Sequence, residues 1–224
     1  MNLIVEDRPG TAVHILWDWN GTLLDDTLAC VDTLNEMLSE RGLKVVTLEY
    51  FKDHFAFPAR NFYQLVGLDV PDSQWNKLAR KYHEIYARQP SIRLNVDALE
   101  ALEAVKRRGW RQSILSALHQ ELLERDLAHY GIAGYFDYII GSDNYDGGSK
   151  LERAKKFMAE LRDQGKNEKF LLIGDSLHDH EVASALGIAC ALVSTGGHAH
   201  QRLAAVAPTF ATLPEAINLC LTQA

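Results

Sequence analysis

The sequence predicts an α/β protein in which helices cover both faces of a parallel sheet and an α-helical cap is inserted after the first strand. Three observations lead to this prediction. Short apolar runs alternate with segments of helical periodicity, which is typical of βαβ units. One long interval contains helical patterns but no convincing strand. Acidic, hydroxyl and basic residues follow the apolar runs, where the carboxyl ends of parallel strands share one ligand-binding edge.

Six apolar runs are interpreted as strands, because a strand buried on both faces reads as a nearly continuous hydrophobic segment. They are Val13 to Trp17, Arg111 to Ala117, Phe136 to Ser142, Lys169 to Gly174, Cys190 to Ser194 and a weaker run near Thr209. Three groups with helical spacing lie between them: Leu99, Leu102 and Val105; Leu118, Leu122 and Leu123; and Ala154, Phe157, Met158 and Leu161. The alternation predicts a Rossmann-like core.

The interval from about Thr27 to about Arg93 is expected to form about four helices and no strand. Its first helix is defined by five apolar residues at helical spacing: Leu28, Val31, Leu34, Met37 and Leu38. An all-helical insert of this size predicts a cap over the active edge of the sheet. The predicted division is a core of residues 1–24 and 95–224 with a cap of residues 25–94.

Composition excludes several classes of protein. The chain has 224 residues, of which 47% are hydrophobic and 24% charged, as expected for an ordinary globular core. A formal net charge of -7 argues against nucleic acid as a partner, which usually requires a basic surface. No apolar run approaches the length of a membrane span, and the first residues do not read as a signal peptide.

The three cysteines, Cys30, Cys190 and Cys220, are widely spaced and form no CxxC motif. They therefore predict neither a disulfide framework nor a zinc knuckle, and a reducing, cytoplasmic location is expected.

Chemically active residues recur at the ends of the predicted strands. Asp18 ends the first strand, Ser116 ends the second, and Lys150 follows the third. Asp175 and Asp179 follow the fourth. Because these strand ends lie on one rim of a parallel sheet, side chains that are distant in sequence can converge there.

The convergent set suits phosphoryl chemistry. Asp18 can act as a nucleophile or a metal ligand, and Asp175 adds a second hard oxygen ligand of the kind that Mg²⁺ prefers. Ser116 offers a hydroxyl to a phosphoryl oxygen, and Lys150 offers a positive charge. Gly21 allows a tight turn after Asp18 and a close approach of the backbone to a ligand.

The segment "DWNGTLLDD", Ser116, Lys150 and the segment "GDSLHDHEVASALGI" resemble, in order, the four motifs of the haloacid dehalogenase (HAD) superfamily. The helical insert, including "HFAFPARNFYQLVG", is similar to the cap of the phosphoglycolate-phosphatase-like branch. The resemblance implies a Mg²⁺-dependent phosphatase for a small phosphorylated metabolite, with phosphoglycolate as the leading substrate. A monomer or homodimer without a membrane partner is expected.

The resemblance also implies residue roles. Asp18 would attack phosphorus and form an aspartyl-phosphate, and Mg²⁺ would lie between Asp18, the backbone carbonyl of Asn20 and Asp175. Asp179 would support the water shell of the metal or orient Lys150. The predicted phosphate- and substrate-binding residues are Trp19, Gly21, Ser116, Ala117, Lys150 and, from the cap, Arg60.

Two positions depart from the family pattern. Lys150 is followed by Leu151, where that branch commonly has proline, and this bears on the substrate more than on the chemistry. Asn20 stands where most phosphatases of the superfamily have an aspartate that protonates the leaving group. An asparagine cannot cycle a proton, so departure of the leaving group is expected to be the weak step.

Other interpretations of the same residues remain open. Asn20 could mark a low-turnover, phosphate-binding regulatory protein, and a phosphoryl transferase such as a mutase fits the same motifs. The pairs His178 with His180 and His198 with His200 could form a zinc site only if they converged. More ordinary is a loop histidine near the phosphate rim, with His198 as a candidate substrate contact.

Overall fold

A computed structural model describes residues 12–143, 150–165 and 168–219. The N-terminal segment, most of the loop that precedes Lys150, and Cys220 lie outside the described residues. In chain order the elements are β1 (Val13–Trp17), β2 (Leu24–Asp25), α1 (Thr27–Ser39), α2 (Leu48–His54), α3 (Ala59–Leu65), α4 (Asp72–Tyr86), β3 (Arg93–Leu94), α5 (Ala98–Arg107), β4 (Arg111–His119), α6 (Gln120–His129), β5 (Ile139–Ser142), α7 (Leu151–Asp163), β6 (Lys169–Gly174), α8 (Leu177–Leu186), β7 (Ala189–Val193), α9 (His200–Ala204), β8 (Thr209–Phe210) and α10 (Leu213–Leu219).

Six strands form one parallel sheet in the order β5-β4-β1-β6-β7-β8, which confirms the predicted fold class. The chain builds β4 and β5 on one side of β1, then crosses to build β6, β7 and β8 on the other. The direction of winding therefore reverses at β1. In open parallel sheets ligands bind outside the carboxyl ends of the strands at such a reversal. The ends of β1 and β6 are the expected place for a site.

The two faces of the sheet carry separate hydrophobic clusters. One is centred on Ile15 and Trp17 with α5, α6 and α10, and the other on Leu16 with α7 and α8. Alternate residues of β1 thus point to opposite faces, and all five residues of β1 are buried. This double coverage explains why the strand sequences are continuously apolar.

The predicted bounds of β1 and β6 agree with the structure, β7 is shifted by one residue to Ala189–Val193, and two other strands differ more. β4 extends to His119, with a register irregularity between Leu115 and His119, so Leu118 lies in a strand. The expectation that Leu118 belongs to a helix is wrong, because pairing of His119 with Ser142 continues the strand. β5 starts at Ile139, not at Phe136.

Four helices, α1 to α4, lie between β2 and β3, and they bury a cluster of their own. β2 and β3 pair antiparallel, with Leu24 opposite Leu94, where the chain leaves and re-enters the sheet. Strands of two residues carry no periodicity, which is why the sequence does not predict them. The division into a cap of residues 25–94 and a core remains a prediction. In the described parts of the chain, no helix has the length and hydropathy needed to cross a bilayer.

Candidate active site

Asp18 is the first residue after β1, and its backbone amide donates to the Ile173 carbonyl of β6 at 2.9 Å. This bond extends the pairing of the two central strands by one residue and fixes the direction of the side chain. Asp18 is 8% exposed. Its Oδ1 lies 2.7 Å from Nζ of Lys150, and the backbone amide of Trp19 donates to its carboxylate. The predicted nucleophile is therefore buried and charge-paired.

Lys150 is the N-cap residue of helix α7, and its ammonium group is buried among oxygens. Nζ contacts Asp18 Oδ1 at 2.7 Å and Asp179 Oδ1 at 2.5 Å, and donates to the Leu115 carbonyl at 3.4 Å. Burial alone would lower the pKa of Lys150, but Asp179 and Asp18 outweigh it and raise the pKa. Lys150 is thus a permanent positive charge between two carboxylates.

Asp179 lies in the first turn of α8 and forms a capping box with Ser176. Its Oδ2 accepts from Ser176 Oγ at 2.6 Å and from the backbone amides of Ser176 and Asp175 at 3.1 and 3.2 Å. Burial would raise the pKa of Asp179, but Lys150 and Ser176 lower it. One oxygen therefore fixes the turn after β6 while the other orients Lys150.

Asp175 follows β6 and is held in a cradle made by glycines. Its Oδ2 accepts from the Gly197 amide at 2.7 Å, and its Oδ1 accepts from Thr22 Oγ1 at 3.3 Å. A Cβ on Gly21 would lie 2.4 Å from Asp175 Oδ2, and a Cβ on Gly196 would lie 1.9 Å from it. Gly21 also has φ of +78°, which favours glycine. A side chain at position 21 or 196 would therefore displace the Asp175 carboxylate.

Asp18, Asp175 and Asp179 each offer an oxygen, and these three atoms lie within 4.8 Å of one another. Burial and the charge of Asp179 raise the pKa of Asp18 to about 7. Burial and the charges of Asp18 and Asp179 raise the pKa of Asp175 well above its usual range. Three crowded carboxylates with one lysine lack positive charge, and a hard divalent cation such as Mg²⁺ fits this donor set.

A second polar cluster lies beside the first. Nδ2 of Asn20 donates to Asp26 Oδ2 at 2.7 Å and to the Tyr86 hydroxyl at 3.3 Å. The Tyr86 hydroxyl in turn donates to Asp26 Oδ2 at 2.6 Å, and the Gly21 amide donates to Asp26 Oδ1 at 2.8 Å. Burial raises the pKa of Asp26, although these donors oppose the rise. The Asn20 side chain is therefore held by a carboxylate that the sequence analysis did not single out.

The remaining residues predicted to bind phosphate lie close to Asp18. Ser116 and Ala117 line the same cavity, and Ser116 Oγ accepts from the Leu118 amide at 3.0 Å. Gly21 lines it as well. Trp19 buries its side chain completely in the core beside Tyr130, so only its backbone can face a ligand.

Arg60 is not among the residues that line the cavity. Its guanidinium pairs with Asp72 at 2.5 Å, donates to the Val70 carbonyl at 3.2 Å and lies 5.3 Å from the centre of the Trp75 ring. The predicted substrate contact from Arg60 stays a prediction, and the guanidinium has partners within the cap.

The histidines take ordinary roles. His198 Nδ1 accepts from the Leu177 amide at 3.2 Å, and burial followed by the charge of Arg202 lowers the pKa of His198 to about 4. His178 and His198 both line the cavity. Within the described ranges, the group with metal-ligand spacing is the aspartate cluster, and it includes no histidine.

Two of the contacts between the core and helices α1 to α4, called the cap below, are hydrogen-bonded. At one, the Tyr86 hydroxyl reaches Asp26 and Asn20. At the other, Arg202 Nη1 donates to the carbonyls of Lys52 and Phe55 at 2.8 and 2.9 Å. A cavity of about 240 Å³ lies between the cap and the core. Asp18, Lys150 and Asp175 line its core side, and helices α1 to α4 line the other.

Several residues that hold the predicted ones in place were not predicted from the sequence. Thr22, Gly197 and Gly196 surround Asp175, and Asp26 holds Asn20. Two signals could have indicated them. The consecutive glycines directly after the β7 run predict a close approach of the backbone, and a second aspartate after "LLD" adds a carboxylate near the first motif.

Residues 15–193 match the family model described as haloacid dehalogenase-like hydrolase. A phosphoglycolate phosphatase from Aquifex aeolicus is 28% identical over 189 residues, which cover 81% of this chain and 84% of that protein. The tyrosine-protein kinase PtkA of Mycobacterium tuberculosis is 25% identical over 185 residues, covering 81% of this chain and 62% of that protein.

Solved structures show the same fold. A haloacid dehalogenase-like family hydrolase from Streptococcus pneumoniae superposes with a TM-score of 0.68 at 17% identity, covering 93% of this chain and 98% of the other. At this identity the likeness concerns the fold alone.

Proposed function

The chain belongs to the haloacid dehalogenase-like hydrolase family, and we propose that it is a Mg²⁺-dependent phosphatase that hydrolyses a small phosphate monoester through an aspartyl-phosphate on Asp18. The phosphatase relatives support the general activity. One observation carries the specific proposal: Lys150 joins Asp18 to Asp179 at 2.7 and 2.5 Å, and Asp175 stands beside them.

The proposed reaction has two displacements. A carboxylate oxygen of Asp18 attacks phosphorus, the bond from phosphorus to the ester oxygen breaks, and the leaving oxygen takes one proton from solvent. Water then attacks the phosphorus of the aspartyl-phosphate, which releases inorganic phosphate and restores Asp18. Lys150 and the Ser116 hydroxyl are placed to stabilise negative charge on the phosphoryl oxygens. The proton taken up by the alcohol in the first displacement is balanced by the proton lost from water in the second, and the full cycle returns Asp18 to a carboxylate.

The metal would be held by Asp18, Asp175 and the backbone carbonyl of Asn20, with Asp179 orienting Lys150 and supporting the shell. When bound, Mg²⁺ supplies positive charge that offsets repulsion between carboxylates and the phosphoryl group. Residues of this chain orient the carboxylates and keep them charged. Gly197 and Thr22 fix the direction of Asp175, and the amide of Trp19 helps to keep Asp18 ionised.

Asn20 limits protonation of the leaving group. Its amide can donate a hydrogen bond but cannot transfer a proton, and Asp26 already occupies its Nδ2. We therefore expect esters whose leaving groups need no protonation to react best.

Phosphoglycolate, the substrate in the names of several relatives, is the first metabolite to assay. Phosphoryl transfer to an acceptor other than water is a second candidate, because a protein named a tyrosine kinase is similar to most of this chain. A cytoplasmic monomer or homodimer stays the expectation.

The proposal is tested by measuring phosphate release from 4-nitrophenyl phosphate by the purified protein, with Mg²⁺ and with EDTA. Rapid acid quench of a reaction with ³²P-labelled substrate should trap label on the peptide that contains Asp18. Release that survives EDTA, or label on another residue, would contradict the mechanism. Phosphate appearing on an added alcohol instead of in solution would favour transfer.

A further inference from the structure

We propose that the alcohol part of the substrate is uncharged and apolar, about one aromatic ring in size, and that the aromatic side chains of the cap select it. This inference rests on the proposed function, because the cavity concerned is the one that contains Asp18. It departs from phosphoglycolate, whose leaving group carries a carboxylate.

The cap side of the cavity is mostly apolar, although Tyr82, His83 and Tyr86 of α4 add polar atoms to it. The apolar side chains of the cap that form this aromatic wall are Leu34, Phe51, Phe55, Phe57, Tyr63 and Trp75. Phe55 stacks on Phe51 with ring centres 4.7 Å apart and meets Phe57 edge-on at 5.3 Å. Aromatic rings arranged this way offer both faces and edges to another ring.

The aromatic wall continues onto the core side through two histidines. The ring of His178 lies 5.3 Å from that of Phe57, and the ring of His198 lies 6.0 Å from that of Phe55. His198 is neutral near pH 7, because burial lowers its pKa to about 4. The two rings therefore continue the aromatic surface towards the phosphate site.

The charges in the cavity are unfavourable for an anionic leaving group. Among the described residues that line it, Lys150 is the one lysine, and no arginine is present. Lys150 already contacts Asp18 and Asp179. Asp26 adds a further buried carboxylate to the lining. A substrate carboxylate would lose its hydration without gaining a cation, which is costly in a buried site.

The volume sets the size of the leaving group. The cavity measures about 240 Å³, and it also has to hold the phosphoryl group. An apolar cavity of roughly 150 Å³ is enough to bind benzene. The space beside the phosphate therefore fits one ring or an aliphatic group of similar size.

Binding of two phosphonates that cannot be hydrolysed tests the inference directly. The probes are 2-phenylethylphosphonate and phosphonoacetate, titrated calorimetrically into the full-length protein with Mg²⁺. We expect the phenyl compound to bind at least about tenfold more tightly, because it buries a ring that phosphonoacetate lacks. Equal binding, or tighter binding of phosphonoacetate, would overturn the inference.

Two arginine substitutions locate the selectivity. Phe57→Arg places a cation at the edge of the aromatic wall, at a residue that is 36% exposed, and should reduce the preference at least about tenfold. Leu65→Arg adds the same charge to the cap at a residue that is 59% exposed and outside the cavity lining, and should leave the preference within about twofold. A preference unchanged by Phe57→Arg in a folded protein would show that the cap does not select the ligand.

Turnover separates this inference from the proposed function. The substrates are 2-phenylethyl phosphate and phosphoglycolate, both esters of alkyl alcohols. If neither is hydrolysed but the binding preference holds, the phosphatase proposal fails and the ligand class stands. In the opposite case both esters are hydrolysed, phosphoglycolate has the higher kcat/KM, and phosphonoacetate binds more tightly than 2-phenylethylphosphonate. The proposed ligand class is then wrong, and the phosphatase proposal stands.

Discussion

The cavity holds buried carboxylates on two sides, and the two sides compensate their charge in different ways. Beside β1 and β6, Asp18 and Asp179 share the ammonium group of Lys150. Eight residues after Asp18, Asp26 has neutral partners, the Asn20 amide and the Tyr86 hydroxyl. The first arrangement concentrates charge for chemistry, whereas the second joins the cap to the core.

This difference shows how one site can divide two tasks. A lysine between carboxylates keeps a strong, fixed field where a phosphoryl group would bind. Neutral donors around Asp26 hold it without a counter-ion, so its environment depends on Tyr86, a residue of α4. Movement of the cap would therefore disturb the Asp26 side and leave the Lys150 side intact. The predictions below test this division.

Asp18→Asn should have the largest effect. Removing the nucleophile is expected to lower kcat/KM for 4-nitrophenyl phosphate by at least about 10⁴-fold. The fold should survive, since burial and Asp179 already disfavour the charge of Asp18. Steady-state kinetics and a thermal melt check both parts. Activity within tenfold of wild type in a folded variant would exclude Asp18 as the nucleophile.

Lys150→Met and Asp26→Asn form a matched pair, one on each side. Loss of Lys150 should lower kcat/KM for the aryl ester about 10²- to 10³-fold, because the field at the phosphoryl group is lost. Asp26→Asn removes a charge without touching that field and should cost less than about tenfold. Steady-state kinetics of both variants at one Mg²⁺ concentration measure the two losses in kcat/KM. Equal losses would mean that the two sides are not distinct.

His198 reports whether the cap is closed in solution. Its pKa is lowered to about 4 by burial, so the folded protein should lose stability as pH falls from about 6.5, the usual value, to about 4. The expected loss is of the order of 3 kcal/mol, complete below pH 4 and absent above pH 7.

Urea unfolding at several pH values measures this loss, and His198→Asn is the control. Asparagine can accept from the Leu177 amide as the imidazole does, but it does not titrate. The variant should therefore lose the slope between pH 6.5 and 4. An unchanged slope would mean that His198 is hydrated and the cap is open.

The reciprocal exchange Asn20→Asp with Asp26→Asn should have the smallest effect. Asn20→Asp alone would place two carboxylates at the 2.7 Å contact that Asn20 and Asp26 now share, and is expected to gain little. The double variant keeps one carboxylate and one amide and restores an acid at position 20. It should raise kcat/KM for alkyl phosphates about tenfold and for aryl phosphates hardly at all.

Leaving-group plots for the two proteins make this comparison. A shallower slope in the double variant supports the missing acid as the limit on turnover. Parallel slopes would show that another group protonates the leaving oxygen.

The core half of the site follows from sequence better than the cap half does. Asp18, Lys150, Asp175 and Asp179 were expected at strand ends, because a parallel sheet brings those ends to one rim whatever the intervening sequence. The structure brings all four side chains together. Topology alone carries that part of the prediction.

The cap half depends on how helices pack, which periodicity does not reveal. Arg60 was expected to contact substrate, yet its guanidinium lies against Asp72 and Trp75. Tyr86 carried no signal, since an aromatic residue in a helical segment reads simply as core, and Phe57 lies in the loop between α2 and α3, where periodicity does not apply. Their positions in the cavity follow from the angles between α1 to α4, and those angles are a property of the packed structure.

Gly196 and Gly197 have a practical consequence for laboratory evolution of this enzyme. A Cβ on Gly196 would collide with Asp175, whereas a Cβ on Gly197 would lie 3.6 Å from the Phe51 ring and 3.7 Å from Asp175 Oδ2, both ordinary distances. Saturation libraries at position 196 should return inactive clones. At position 197, small side chains reach the aromatic wall while the backbone amide still holds Asp175. Neighbouring codons thus separate a forbidden position from one where substrate range can be selected.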